Sequence, residues 1–122
     1  MNSNTGVPEL ETQTSHDFHS GSRICARVVG VTYDGRQSVI ARLSIGENIL
    51  LRREPTNPYD PNAISVECEN RWQIGYLNRH LAAMLAPFFD TYQQTVHGNV
   101  HCITGSQRQG YSLGVVITFN VP

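Results

Sequence analysis

The residues best suited to chemistry crowd into one short stretch, Arg52-Arg53-Glu54-Pro55-Thr56-Asn57-Pro58-Tyr59-Asp60-Pro61-Asn62. An aromatic ring, a carboxylate, two amides and two guanidinium groups can stack on a base, exchange hydrogen bonds and neutralise phosphate. Pro55, Pro58 and Pro61 fix their own φ and press Glu54, Asn57 and Asp60 toward extended backbone, so the stretch has few alternative conformations. Apolar runs bracket it, Ile49-Leu50-Leu51 before and Ala63 to Val66 after, which makes it the connection between two strands. A second reading stays open at this level: a stiff hairpin whose Asn and Asp side chains only bond their own backbone as Asx-turns.

Four tyrosines stand where strands are expected to end: Tyr33, Tyr59, Tyr76 and Tyr111. Strand ends gather at the rim of a small barrel, where such rings can line a groove and stack on bases at about 1–3 kcal/mol each. Arg79, in the first turn of an expected helix beside Tyr76, is placed to hold a phosphate near free backbone N–H groups. Asp60 is the odd member, because a carboxylate repels phosphate. In such a groove it must accept from a hydroxyl or a base amine, which points to recognition of a strand end. Tyrosines at strand ends also serve simply as packing amphiphiles with their hydroxyls in water.

Catalytic signatures are scarce by comparison. His97 and His101 are four apart, but Thr95 to His101 reads as strand, where that spacing is too long for one metal. A small metal-dependent hydrolase built on this pair is the weakest of the readings. His16 and His19 are an i, i+3 pair without a third ligand. The glycines at 30, 35, 105 and 110 fit no phosphate-loop fingerprint. No enzyme activity, metal or cofactor is expected.

The elements that must carry these residues follow from periodicity. Ile24, Ala26 and Val28 alternate and run into Val29-Gly30-Val31-Thr32-Tyr33, a long first strand ending at Asp34-Gly35. Residues 36–48 are ambiguous, an irregular connection or an extra hairpin. Strands are expected at 49–53, 64–68 and 72–76, with Gly75 allowing close backbone approach. Asn78 is an N-cap before Leu81, Met84, Leu85 and Phe88, which recur at helical spacing. Pro87 ends or kinks that helix. Two last strands, 94–103 and 111–121, are joined by a polar loop. Six strands and one helix close most cheaply as a small barrel.

The totals set the bounds. A chain of 122 residues with 39% hydrophobic content supports a single core. Residues 1–21 are polar and read as a disordered tail, leaving 22–122 as the folded domain. The net charge of −1 hides an acidic tail and a mildly basic domain, in which every basic residue is Arg. That balance points to local rather than extensive phosphate contact. Cys25, Cys68 and Cys102 are odd in number and widely spaced, which excludes a disulfide framework. No apolar run reaches the roughly 18–20 residues of a membrane helix, and no export signal is present, so an intracellular, cytoplasmic location is expected.

Val29-Gly30-Val31-Thr32-Tyr33, the segment from Leu51 to Ile64, and Ile74-Gly75-Tyr76-Leu77 together resemble the HIRAN domain, over about residues 23–121. The resemblance implies a mainly β (α+β) fold, a small OB-like or SH3-like six-stranded barrel with one principal helix. It implies a module that binds single-stranded DNA at its 3′-hydroxyl end, in DNA repair or the processing of stalled replication forks. Tyr33 and Tyr59 would stack on terminal bases, Asp60 accept from the 3′-hydroxyl, and Asn57 support the loop or touch the end nucleotide. Arg79 would hold a phosphate, where the family often has Lys. Tyr76 and Tyr111 fill places where fork-remodelling members carry His and Phe. Thr32 departs from the Arg those members place before the stacking Tyr, which weakens the phosphate grip. The alternative is a protein-interaction module docking onto a DNA-processing ATPase or nuclease. A bacterial member would be nucleoid-associated.

Overall fold

The computed structural model describes residues 18–122. Most of the expected tail, with His16 and the tail acids, therefore lies outside the described residues. Six antiparallel strands form one sheet: β1 (Arg23–Arg27), β2 (Asn48–Arg53), β3 (Ile64–Cys68), β4 (Gln73–Tyr76), β5 (Thr95–Thr104) and β6 (Gly114–Asn120). Their order across the sheet is β1-β6-β5-β2-β3-β4. The sheet curls until its two ends meet at a single bridge, where Val29 and Tyr76 exchange N–H···O bonds of 2.8 and 3.0 Å. This is the expected OB-like barrel, and its seam is one residue pair wide. Gly75 makes the seam possible, because a Cβ there would stand 2.3 Å from the Val29 carbonyl oxygen.

Alternation fills the barrel. Ile24 and Ala26 of β1, Ile49 and Leu51 of β2, and Val115, Ile117 and Phe119 of β6 point inward with Val66, Ile74 and Val100. A helix, α2 (Arg79–Thr91), completes the core. Asn78 caps it as expected, its Oδ1 accepting from Leu81 N at 2.8 Å. The buried stripe is rotated by one residue from the expected one: Ala82, Leu85, Ala86 and Phe89 are buried, while Leu81 and Phe88 flank the core. Pro87 does not end the helix. Its ring faces solvent, and the last turn is held by buried Phe89 and by Asp90, which binds Arg53 at the end of β2.

Three further expectations give way. The first strand does not continue to Tyr33, because after the Val29 bridge Gly30 (φ 72°) turns the backbone into the left-handed region, as do Asp34 (φ 52°) and Gly35 (φ 75°). Thr32 and Tyr33 thus lie in a turn. The ambiguous segment contains a short helix, α1 (Arg36–Ile40), which packs on β4 and buries Ile40. Tyr111 likewise precedes β6, in the loop containing a 3-10 turn at Gln107–Gln109, rather than opening the strand.

Candidate functional site

The hairpin between β2 and β3 is built as its prolines and Asx residues dictate. Glu54 N donates to Ala63 O at 2.9 Å, closing it at the base. Asn57 Oδ1 accepts from the backbone N–H of both Tyr59 (2.8 Å) and Asp60 (3.1 Å), and Asp60 Oδ1 accepts from Asn62 N (2.9 Å). Arg53 reaches underneath, its Nη1 donating to Pro61 O at 2.7 Å. Arg53 Nη2 donates to Asp90 Oδ2 at 3.2 Å, whereas its Nε lies 3.0 Å from Oδ1 but off the N–H axis, an ionic contact. The Asx-turn reading of this stretch therefore holds. The amides build the turn, and the turn presents a ring and a carboxylate.

These side chains meet others in a groove of about 1230 Å³ that lies over the barrel seam. Its walls are the Gly30–Gly35 turn with Tyr33, the hairpin with Asn57, Tyr59 and Asp60, the end of β4 with Tyr76, and Arg79 at the start of α2. Six of the eight expected site residues thus come together; Thr32 and Tyr111 do not line this groove. Tyr33 is 66% and Tyr59 85% exposed, so neither ring is a packing amphiphile. The Asp60 side chain is 17% exposed, with Oδ2 3.9 Å from Arg79 Nε. Arg79, 77% exposed, also donates from Nη2 to Tyr59 O at 3.3 Å. With Oδ1 committed to Asn62, Oδ2 is the oxygen left to accept from a ligand.

Asn57 has no capacity to spare, because its Nδ2 donates to Glu54 Oε1 (3.0 Å) and lies 3.4 Å from Tyr76 Oη. It supports the loop. Tyr76 Oη donates to Glu54 Oε1 at 2.9 Å. Burial raises the Tyr76 phenol above its ordinary value, the Glu54 carboxylate adds to this, and Gln73 and Arg36 work against it. The phenol is a neutral donor, braced against the hairpin.

Among the groove residues that periodicity and motif did not assign to the site, two brace it. Glu54 is the acceptor that joins Asn57 to Tyr76, and Arg36 is a guanidinium at 8% exposure whose Cζ lies over the Tyr76 ring, 5.6 Å from its centroid. No local signal marks Arg36, since an Arg after Asp-Gly reads as a solvent residue. His97 and His101 both project from the exposed face of β5. Among the described residues no group of three or more His, Cys, Asp or Glu is placed to hold a metal, and no helix is long and apolar enough to cross a membrane.

The HIRAN domain family model matches residues 24–121. The helicase-like transcription factor of Oryctolagus cuniculus is 48% identical over 54 residues, 44% of this chain and 5% of that protein. The Fanconi-associated nuclease 1 homolog of Oryza sativa subsp. japonica is 40% identical over 72 residues, 55% of this chain and 7% of that protein. The match therefore spans only 5 to 7% of the length of these curated relatives. The crystal structure of the HIRAN domain of human HLTF superposes with a TM-score of 0.58 at 30% identity, covering 80% of this chain and 74% of that one.

Proposed function

Because the chain belongs to the HIRAN domain family, we propose that it binds single-stranded DNA by its 3′-hydroxyl end, as a non-catalytic module in DNA repair or stalled-fork processing. The observation that carries this reading is Asp60, a carboxylate held beside Arg79 in one groove with two exposed tyrosines. The rings of Tyr33 and Tyr59 stack on the last bases, and Arg79 contacts the phosphate behind the terminal sugar. Asp60 Oδ2 accepts from the 3′-hydroxyl. A 3′-phosphate in the same place meets a carboxylate whose like charge repels it. Because the hairpin is braced by its own hydrogen bonds, little ordering entropy is spent on binding.

A second reading draws on the much greater length of the relatives named for a helicase-like factor and a nuclease. In it the groove or a strand edge docks the chain onto a DNA-processing ATPase or nuclease, in the cytoplasm or on a bacterial nucleoid. Fluorescence anisotropy separates the two. Two short oligomers differing only in a 3′-hydroxyl or 3′-phosphate are titrated at two salt concentrations. The end-reading module binds the hydroxyl form more tightly, keeps that preference in high salt, and loses it in Asp60→Asn. Equal, salt-sensitive binding reduces the groove to a generic phosphate contact. No binding to either oligomer leaves the docking module.

A further inference from the structure

We propose that Arg36 is a positioning residue for this groove: its buried guanidinium locks the Gly30–Gly35 turn so that the Tyr33 ring stands over the terminal base. This rests on the nucleic-acid reading and assigns a role to a residue outside the hairpin motif. The Tyr33 ring is 66% exposed, so packing does not hold it and its place is set by the turn's backbone. That turn contains three left-handed residues, Gly30, Asp34 and Gly35. A backbone with so little intrinsic preference depends on its ties.

Arg36 supplies those ties. Its backbone N–H donates to Tyr33 O at 3.0 Å, its Nη1 to Gly30 O at 2.6 Å, and its Nη2 to Gln73 Oε1 on β4 at 2.6 Å. Gln73 Nε2 in turn donates to Ser65 Oγ on β3 at 2.7 Å, and Asp34 Oδ2 lies 3.6 Å from Arg36 Nη2. One planar fork therefore bridges the turn to the sheet while its Cζ lies over the Tyr76 ring. Gln37 holds the next carbonyl, Val31 O, but its other bonds go to Leu113, away from the groove.

Arg36 does not reach ligand. It is 8% exposed, both Nη atoms are committed, and its buried Nε has no hydrogen-bond partner. A buried charge with an unmatched N–H is a poor way to fill space, since an apolar side chain of similar volume does so at less cost. What the apolar side chain cannot do is join Gly30 to Gln73.

The test uses the whole chain and the 3′-hydroxyl oligomer. Arg36→Met is introduced into wild type, Tyr33→Ala and Tyr59→Ala backgrounds. It weakens binding about tenfold in wild type and Tyr59→Ala, but less than about twofold once Tyr33 is gone, because the coupling runs through that ring. Arg36→Lys, which satisfies one acceptor at a time, falls between wild type and Arg36→Met. An equal loss in all three backgrounds, or no loss in wild type, overturns the proposal while leaving the end-reading function intact. Failure of the wild type itself to bind overturns both. Should Arg36→Met not fold, Gln73→Ala removes the β4 anchor and keeps the charge. The same dependence on Tyr33 is expected of it, and its absence is equally decisive.

Discussion

Tyr33 and Tyr59 both line the groove, one on a turn and one on a hairpin, and both are largely exposed. Alanine at either removes a stacking surface, about 1–3 kcal/mol per base, so each single variant weakens single-strand binding by about 5- to 150-fold. The double variant binds no better than the weaker single; unchanged affinity in anisotropy would remove the basis for nucleic-acid binding. Neither substitution disturbs the core, and the unfolding midpoint stays put. Tyr76 is the opposite case, a half-buried phenol bonded to Glu54. Its raised value means that the folded state holds the phenolic proton more tightly than the unfolded state does. The resulting stability is fully present below the unfolded value near 10 and is lost as pH rises through the higher folded value. Urea unfolding between about pH 9 and about pH 11 therefore declines more steeply in wild type than in Tyr76→Phe. Parallel declines would mean that Tyr76 contributes nothing to the alkaline limb.

At the scale of elements, the seam is the weak point. The chain just past β1 and the end of β4 meet at only one residue pair, and that pair forms because Gly75 lets the Val29 backbone come close. Alanine at 75 sets a Cβ 2.3 Å from Val29 O and 2.6 Å from Val28 Cγ1, with no flexible side-chain end to give way on the carbonyl side. Gly75→Ala is expected to cost at least about 1–3 kcal/mol in chemical denaturation. It also weakens DNA binding, because Tyr76 and the Gly30–Gly35 turn sit on either side of the seam. An unaltered midpoint would show that the barrel closes without this contact. The helix shows a milder conflict resolved by packing. Pro87 removes a donor in mid-helix, yet Phe89 is fully buried and Asp90 binds Arg53, so the final turn persists beyond the break.

Charge acts at the scale of the molecule. Three guanidinium groups line the groove, Arg36, Arg53 and Arg79, and three carboxylates, Asp34, Glu54 and Asp60, line it too. Arg36 and Arg53 are buried in bonds to carbonyls, Gln73 and Asp90, which leaves Arg79 as the exposed cation of the three. Such a groove releases few counterions. A plot of log affinity against log salt should fall with a slope of about −0.7 to −1.4, corresponding to one or two phosphates on a single strand. A steep slope would place most of the contact outside the groove, on the arginines of the outer sheet face.

What the chain order determined by itself is local and short in range. Alternation in β2 and β3, the helical stripe after Asn78, and the proline-rich hairpin all express preferences of neighbouring residues, and β3 appears at its expected bounds, 64–68. The motif residues Tyr33, Asn57, Tyr59, Asp60, Tyr76 and Arg79 were nameable for the same reason, since each belongs to a locally specified turn, strand end or helix start. Tertiary structure decided what depends on contacts between distant segments. β1 ends at Arg27, and just beyond it Val29 closes the barrel against Tyr76, a pairing 47 residues away in sequence that no local pattern encodes. Ala82 and Phe89 of the helix face inward, a rotation that the packing of the helix on the core sets and its own periodicity does not. Arg36 is buried only because α1 folds onto β4 and lays its guanidinium over Tyr76. Thr32 and Tyr111 lie outside the groove because the turns that carry them are set by Gly30 and by the loop before β6. Propensity and spacing act over a few residues, whereas burial and charge pairing are fixed only when the sheet has closed.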